Sequence, residues 1–219
     1  MTLVKICGIT NADDAQVAVE AGADMIGLIF YPPSPRYVTP EQARTIVDYL
    51  PPAVPAIGVF VNETVATMTQ VAAASGVQQV QLHGDETPAM CAALSLPVIK
   101  AFRFTEHVRP EMMADYAMVD AFLVEGFHET LYGGGGAMAD WQQVATLHGY
   151  GRIILAGGLT PDNVQQAIQV AQPYAVDVGS GVEVSPGQKD WQKVQAFIRQ
   201  AKAATSWQDG CHVSPTRDQ

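Results

Sequence analysis

Lys5-Ile6-Cys7-Gly8-Ile9-Thr10 puts a thiol at the end of a short apolar run, directly before a glycine and a helix start. A strand that stops on a reactive side chain and turns at once is how an α/β barrel presents chemistry at its open end. A thiol in that position either supplies thiolate chemistry or is a small buried hydrophobe, as many free cysteines are. Lys5 shares a strand face with Cys7 two residues earlier, at about 7 Å by strand rise. It either helps to stabilise a thiolate or is tied up in an ion pair inside the barrel.

Other polar residues recur at the ends of apolar runs. Arg36 lies in Tyr31-Pro32-Pro33-Ser34-Pro35-Arg36-Tyr37, where prolines stiffen the loop after the second run. Asn62 follows the third run, His83 ends the fourth, Arg103 follows the fifth and Glu125 ends the sixth. Gly157-Gly158 follows the seventh, and Asp177 with Gly179-Ser180-Gly181 closes the eighth. The glycine turns after strands seven and eight of a barrel commonly hold phosphate on backbone N–H groups, which glycine lets the anion approach closely. Gly157, Gly158, Gly179, Ser180 and Gly181 are therefore expected to bind phosphate, and His83 and Asp177 to face substrate. Gly133-Gly134-Gly135-Gly136 lies in a long loop of the same rim and reads as a lid or a connector.

The elements needed to position these groups are legible. Strands are predicted at residues 3–7, 25–30, 56–61, 78–83, 98–102, 121–125, 152–156 and 175–179, separated by segments of helical length. Thr39-Pro40, Thr87-Pro88 and Thr160-Pro161 each pair a capping hydroxyl with a proline at the first helical position. Gln42 completes a capping box with Thr39. Gly22, Gly76 and Gly149 are predicted helix stops. Alternation of this kind implies parallel strands with right-handed crossovers. Eight units of roughly 25 residues predict a single-domain α/β protein, a (β/α)8 TIM barrel over residues 1–203. An open doubly wound sheet is the alternative, but it usually carries a glycine fingerprint that Cys7-Gly8-Ile9-Thr10 does not provide. Residues 204–219 lack apolar periodicity and read as a disordered C-terminal extension.

Composition narrows the function. A net charge of −10 opposes nucleic acid and leaves any phosphate to be held by placed local donors. No run of eighteen apolar residues indicates a membrane span, and no secretory leader is evident. Three cysteines without paired spacing suggest neither a disulfide framework nor a zinc site, so a reducing cytoplasm is the expected compartment.

The chain resembles the phosphoribosylanthranilate isomerase family from about Leu3 to Ala203. The resemblance rests on Lys5-Ile6-Cys7-Gly8, Gly58-Val59-Phe60-Val61-Asn62, Gln81-Leu82-His83-Gly84 and Val176-Asp177-Val178-Gly179-Ser180-Gly181-Val182-Glu183, in that order. It implies a (β/α)8 barrel that needs no cofactor and no metal. The implied reaction is an Amadori rearrangement of N-(5-phosphoribosyl)anthranilate to a 1-deoxyribulose 5-phosphate in tryptophan biosynthesis. It further implies that Cys7 is the general base and that an acid ending strand six opens the sugar ring. Arg36 would face the anthranilate carboxylate, and the paired glycine turns would hold the phosphate. The implied partner is a small phosphorylated substrate, for a protein that is a monomer or a homodimer. The chain departs from the family pattern in three places. Glu125 stands where aspartate is usual, Gly179 stands where serine is common, and the glycine-only loop leads to Ala139-Asp140-Trp141 instead of Phe-Asp-Trp. Glu129 is a reserve candidate for the acid.

Rival readings remain. Indole-glycerol-phosphate synthase would be expected to carry lysines at several strand ends, whereas only Lys5 and Lys100 lie in predicted strands. A pentose-phosphate epimerase would need a metal cluster that His83 alone does not supply. The third is a phosphate-binding barrel that has lost catalysis and serves as a scaffold.

Overall fold

The computed structural model describes residues 1–104, 109–126 and 139–206. Eight strands, β1 (Leu3–Cys7), β2 (Met25–Ile29), β3 (Ala56–Phe60), β4 (Gln79–Leu82), β5 (Val98–Phe104), β6 (Ala121–Gly126), β7 (Ile153–Leu155) and β8 (Ala175–Val178), close into a barrel in sequence order. Each pairs parallel with its neighbours, and β1 seals against β8 with Lys5 opposite Asp177. The crossovers contain α1 (Ala12–Glu20), α2 (Pro40–Val47), α3 (Val65–Ser75), α4 (Pro88–Ala92), α5 (Trp141–Ala145), α6 (Val164–Ala171) and α7 (Trp191–Ser206). Tighter 3-10 turns occupy Pro110–Tyr116 and Thr146–Tyr150.

Strand alternation sorts the side chains into two shells. Val4, Ile6, Leu28, Val124 and Val176 point outward into the core between sheet and helices. Met25, Ile57, Ile99, Ala101, Leu123 and Ile154 fill the barrel interior. The parity that sends Val4 and Ile6 outward sends Lys5 and Cys7 inward. Burial on both faces is why these strands read as nearly continuous apolar runs.

Helix starts follow local chemistry. Thr39 and Gln42 form the predicted capping box, with Gln42 N donating to Thr39 Oγ1 at 3.2 Å and Thr39 N donating to Gln42 Oε1 at 2.9 Å. Thr87 caps α4 as expected. Thr160 does not cap α6, which begins at Val164. Asn163 instead turns its side chain back, accepting from Thr160 N at 2.8 Å and donating to the Gly158 carbonyl at 2.9 Å. Those bonds keep residues 160–163 as a turn. Gly76 ends α3 at φ 77°, but Gly149 lies inside a 3-10 turn that Gly151 ends.

Two further differences bear on the site. Helix α7 continues to Ser206 with Ala204 buried, so the barrel runs three residues beyond the predicted limit of 203. A short antiparallel hairpin, β9 (Glu183–Ser185) with β10 (Gln188–Lys189), follows β8 and was not anticipated from the sequence. Glu129, the Gly133–Gly136 run and residues 207–219 lie outside the described residues.

Candidate active site

Cys7 ends β1 facing the barrel axis, with Gly27 of β2 directly opposite. A methyl group on Gly27 would lie 2.7 Å from Cys7 Sγ and 3.0 Å from Lys5 Nζ, so both atoms occupy the space that the glycine leaves. Lys5 is fully buried one layer below, and its Nζ donates to Asp177 Oδ1 at 2.9 Å. The two sequence readings of Lys5 therefore meet in one residue, an interior ion pair lying beside the thiol. Burial pushes the Cys7 thiol up and Asp177 adds to the rise, against the opposing pull of Lys5 and Lys189. Burial alone would lower Lys5, but Asp177 and Cys7 hold it above its ordinary value. Asp177, expected to face substrate, is the partner of Lys5 in this arrangement.

On the other side of the rim, Glu125 ends β6 and His83 follows β4. His83 Nε2 lies 2.8 Å from Glu125 Oε1, and Nδ1 lies 2.8 Å from Gln81 Nε2. Strand β5 lies between β4 and β6, and its Ala101 is part of the barrel-interior cluster. With Gln81 donating to Nδ1, the imidazole carries its proton on Nε2 and donates it to Glu125. Gln81 Oε1 is buried and has no hydrogen-bond partner among the described residues. Asp120 sits at the opposite end of the strand, where its carboxylate accepts from Val98 N at 2.9 Å.

The neighbouring polar residues brace loops. Asn62 Oδ1 accepts from Asp85 N at 2.6 Å, and Asn62 N donates to Glu86 at 2.8 Å. Lys100 is buried against Glu86 at 2.9 Å, and Arg103 approaches Asp85 at 3.4 Å. Both His83 ring nitrogens are occupied. Among the described residues, no group of three or more His, Cys, Asp or Glu side chains is arranged around a metal position.

Between acid and base in rim order come the two glycine turns. Gly157 and Gly158 adopt φ of 85° and 63°, a backbone that ordinary side chains resist. A methyl group on Gly181 would run into the Leu159 carbonyl, so this glycine lets the two turns touch. The N–H groups of Gly158, Ser180 and Gly181 donate to no backbone carbonyl among the described residues. They are backbone donors of the kind an anion takes up.

Arg36 is held rigidly. Its Nε and Nη2 donate to Glu183 Oε1 and Oε2 at 2.8 and 2.7 Å. Two of the five guanidinium N–H groups are thus used, and the Nη1 edge is left for a second planar acceptor. Burial would raise the Glu183 carboxyl, but Arg36 and Lys189 reverse that and hold it below the usual carboxylate range. Gly27, Gln81, Glu183 and Lys189 were not recognised as site residues from sequence. Gln81 and Glu183 fall within Gln81-Leu82-His83-Gly84 and Val176–Glu183, and the Pro186-Gly187 turn is the sequence signal for the hairpin that carries Lys189.

Residues 4–200 match the family described as N-(5'phosphoribosyl)anthranilate (PRA) isomerase. The N-(5'-phosphoribosyl)anthranilate isomerase of Geobacter metallireducens is 49% identical over 203 residues, covering 93% of this chain and 100% of the relative. That of Trichlorobacter lovleyi is 50% identical over 206 residues, with 93% and 100% covered. The crystal structure of phosphoribosyl anthranilate isomerase from Thermotoga maritima is 41% identical and superposes with a TM-score of 0.85, covering 93% of this chain and 100% of that one. A phosphoribosyl anthranilate isomerase in complex with reduced 1-(o-carboxyphenylamino)-1-deoxyribulose 5-phosphate gives 40% identity, a TM-score of 0.82 and the same coverage. A buried thiol ending the first strand of an eightfold barrel and these matches along nearly its whole length lead to one assignment: the chain belongs to the N-(5'-phosphoribosyl)anthranilate isomerase family.

Proposed function

We propose that this barrel carries out the family's isomerisation, in tryptophan biosynthesis, with Cys7 as general base and Glu125 as general acid. The observation that carries the assignment of roles is the rim order: Glu125 on β6, glycine turns after β7 and β8, and Cys7 on β1. A substrate whose phosphate is held by the middle turns has an acid on one side and a base on the other. That is the division of labour this reaction needs.

Glu125 protonates the furanose ring oxygen, the C1 nitrogen lone pair expels it, and a C1 iminium forms. Cys7 thiolate then removes the C2 proton, giving an enaminol. Protonation at C1 and loss of the hydroxyl proton at O2 yield the ketose, so the net change is an isomerisation. For Glu125 to donate, the His83–Glu125 pair must hold one proton more than in the arrangement described above. An added proton on Nδ1 faces Gln81, whose Oε1 has no partner among the described residues and can accept it once the amide rotates. Arg36 meets the anthranilate carboxylate through its Nη1 edge. Gly157, Gly158, Gly179, Ser180 and Gly181 receive the phosphate.

The protein acts on a small phosphorylated substrate without cofactor or metal, in the cytoplasm, as a monomer or homodimer. Cys7 and Cys91 are free thiols, which suits a reducing compartment. Among the described residues no helix is long and apolar enough to cross a membrane. The deciding experiment incubates purified protein with phosphoribosylanthranilate made in situ and follows the ketose by NMR. Accumulation of 1-(2-carboxyphenylamino)-1-deoxyribulose 5-phosphate is expected. Unchanged aminoaldose would overturn the reading in favour of a non-catalytic barrel.

A further inference from the structure

Lys189 stands on β10 of the unanticipated hairpin, 182 residues from Cys7, with its side chain buried. Its Nζ donates to the Cys7 carbonyl at 2.7 Å, to the Gly179 carbonyl at 3.0 Å and to Glu183 Oε1 at 2.9 Å. An ammonium has three N–H groups, and here each is matched to an acceptor. The three acceptors belong to three parts of the site. They are the backbone of the residue that carries the thiol, the start of the turn after β8, and the carboxylate that grips Arg36.

We propose that Lys189 is a positioning residue for the isomerisation, a single ammonium that fixes the base, the phosphate turn and the carboxylate-recognising arginine relative to one another. This rests on the roles proposed above for Cys7, the glycine turns and Arg36. Lys189 touches none of the reacting atoms and acts through the groups that do.

The local construction favours this reading over a merely buried charge. A lysine taken out of water is costly unless its partners are well placed. Glu183 alone would neutralise the ammonium, yet two further N–H groups are spent on backbone carbonyls at the ends of β1 and β8. The hairpin is itself fastened from the other side. Asp14, buried at the start of α1, accepts from Lys189 N at 3.1 Å and from Trp191 Nε1 at 2.8 Å. Thr10 Oγ1 donates to the Gly187 carbonyl at 2.6 Å. The ammonium is thus held from both sides of the seam between β1 and β8.

The charge has a second consequence at the thiol. The charged groups acting on Cys7 are Lys5, Asp177, Lys189 and Arg36, with Glu183 bound to the latter two. Of these, Lys5 and Lys189 favour the thiolate and Asp177 opposes it. Removing Lys189 therefore weakens thiolate formation as well as loosening the geometry.

The test replaces Lys189 by Met, which keeps the stem and removes the charge and all three donors. Circular dichroism and a thermal melt check the fold. Three readouts follow: kcat and KM for phosphoribosylanthranilate, binding of the reduced product analogue, and the pH dependence of Cys7 alkylation resolved by mass spectrometry. A folded Lys189→Met protein is expected to lose about 10–10²-fold in kcat, the scale of ångström misplacement, with a raised KM. Its Cys7 alkylation should shift to higher pH. A folded variant with kcat, KM and alkylation profile unchanged overturns the proposal, and so does a lowered melting temperature with unchanged kinetics. If Lys189→Met does not fold, Lys189→Gln, which keeps two donors, is expected to show the same losses at smaller size, and its unchanged kinetics would count equally against the proposal. Should neither variant fold, NMR of the unaltered chain with isotope-labelled lysine decides. The Lys189 ammonium signal is expected to move when the analogue binds, and an unmoved signal overturns the proposal. Wild-type turnover is measured in parallel: its absence sinks the catalytic assignment, whereas wild-type turnover with indifferent Lys189 variants sinks only this inference.

Discussion

His83, just after β4, and Glu125, on β6, meet at 2.8 Å across the intervening strand β5. The imidazole thereby fixes where the Glu125 carboxyl points, despite the extra methylene relative to the aspartate usual in the family.

Glu125→Gln keeps shape and size but cannot carry the proton. Turnover should fall by about 10²–10⁴-fold, the usual scale for a lost general acid, while the product analogue still binds. Glu125→Asp draws the carboxyl back from His83 by roughly one bond length and should remain active at reduced rate. Full activity in Glu125→Gln with loss in Glu129→Gln would move the acid to Glu129.

Cys7→Ala should leave the barrel folded and lower kcat/KM by about 10²–10⁴-fold. Because burial holds the thiol up, the reactive thiolate of the unliganded protein forms above the ordinary thiol value of about 8.5. The sign follows from the role: a base works deprotonated, so the rising limb of kcat/KM against pH should lie on the alkaline side. Near-wild-type turnover by folded Cys7→Ala protein would remove the thiol from the mechanism.

Arg36→Lys replaces a planar fork with a point charge. It breaks the two-point hold on Glu183 and the second edge offered to substrate together. Efficiency with the native substrate should drop roughly tenfold or more, in line with a lost charge-assisted hydrogen bond. An analogue built on aniline in place of anthranilate should suffer much less. Equal losses with both compounds would reduce Arg36 to a prop for Glu183.

Gly27→Ala inserts a methyl 2.7 Å from Cys7 Sγ and 3.0 Å from Lys5 Nζ. Overpacking should cost about 1–3 kcal/mol of stability in a denaturant titration. Turnover should fall further than that loss explains, because both crowded groups belong to the site. A variant that is destabilised but fully active would show that the sulfur position is not critical.

Phosphate should be found on the backbone of Gly158, Ser180 and Gly181 in a ligand-bound crystal structure. Lys100, a buried cation in strand β5, is consumed by Glu86 and by the carbonyls of Leu82 and Gly84. Phosphate placed against Lys100 or Arg103 would refute the turn assignment.

The fold was legible because its signals are local. β1 occupies the predicted residues, and Thr39 with Gln42 announces α2 within four positions. Cys7, Arg36, His83 and Glu125 stood out because each ends or follows a strand. What was not legible depends on distant partners. Gly27 looks like any strand glycine until the barrel places Cys7 beside it. The pairing of Asp177 with Lys5 joins residues 172 apart, so no local signal announces it. Lys189 sits in a surface-like sequence, and its three acceptors come together only once the hairpin packs against the barrel.

The seam between β1 and β8 has a consequence for biosynthesis of the chain. Thiol, Lys5 and the loop bearing Arg36 leave the ribosome early, whereas Asp177, Glu183 and Lys189 are among the later barrel residues to be translated. Non-local pairings of this kind form late, and N-terminal segments of a nascent chain begin to order before they have their final partners. Until β8 arrives, Lys5 has no counter-ion, so the mouth of the barrel cannot assemble in its charged form around Cys7. Turnover therefore reports ring closure: a fragment ending before residue 175 should be inert, and adding the missing segment as a separate peptide should restore activity only to the extent that it docks between β7 and β1.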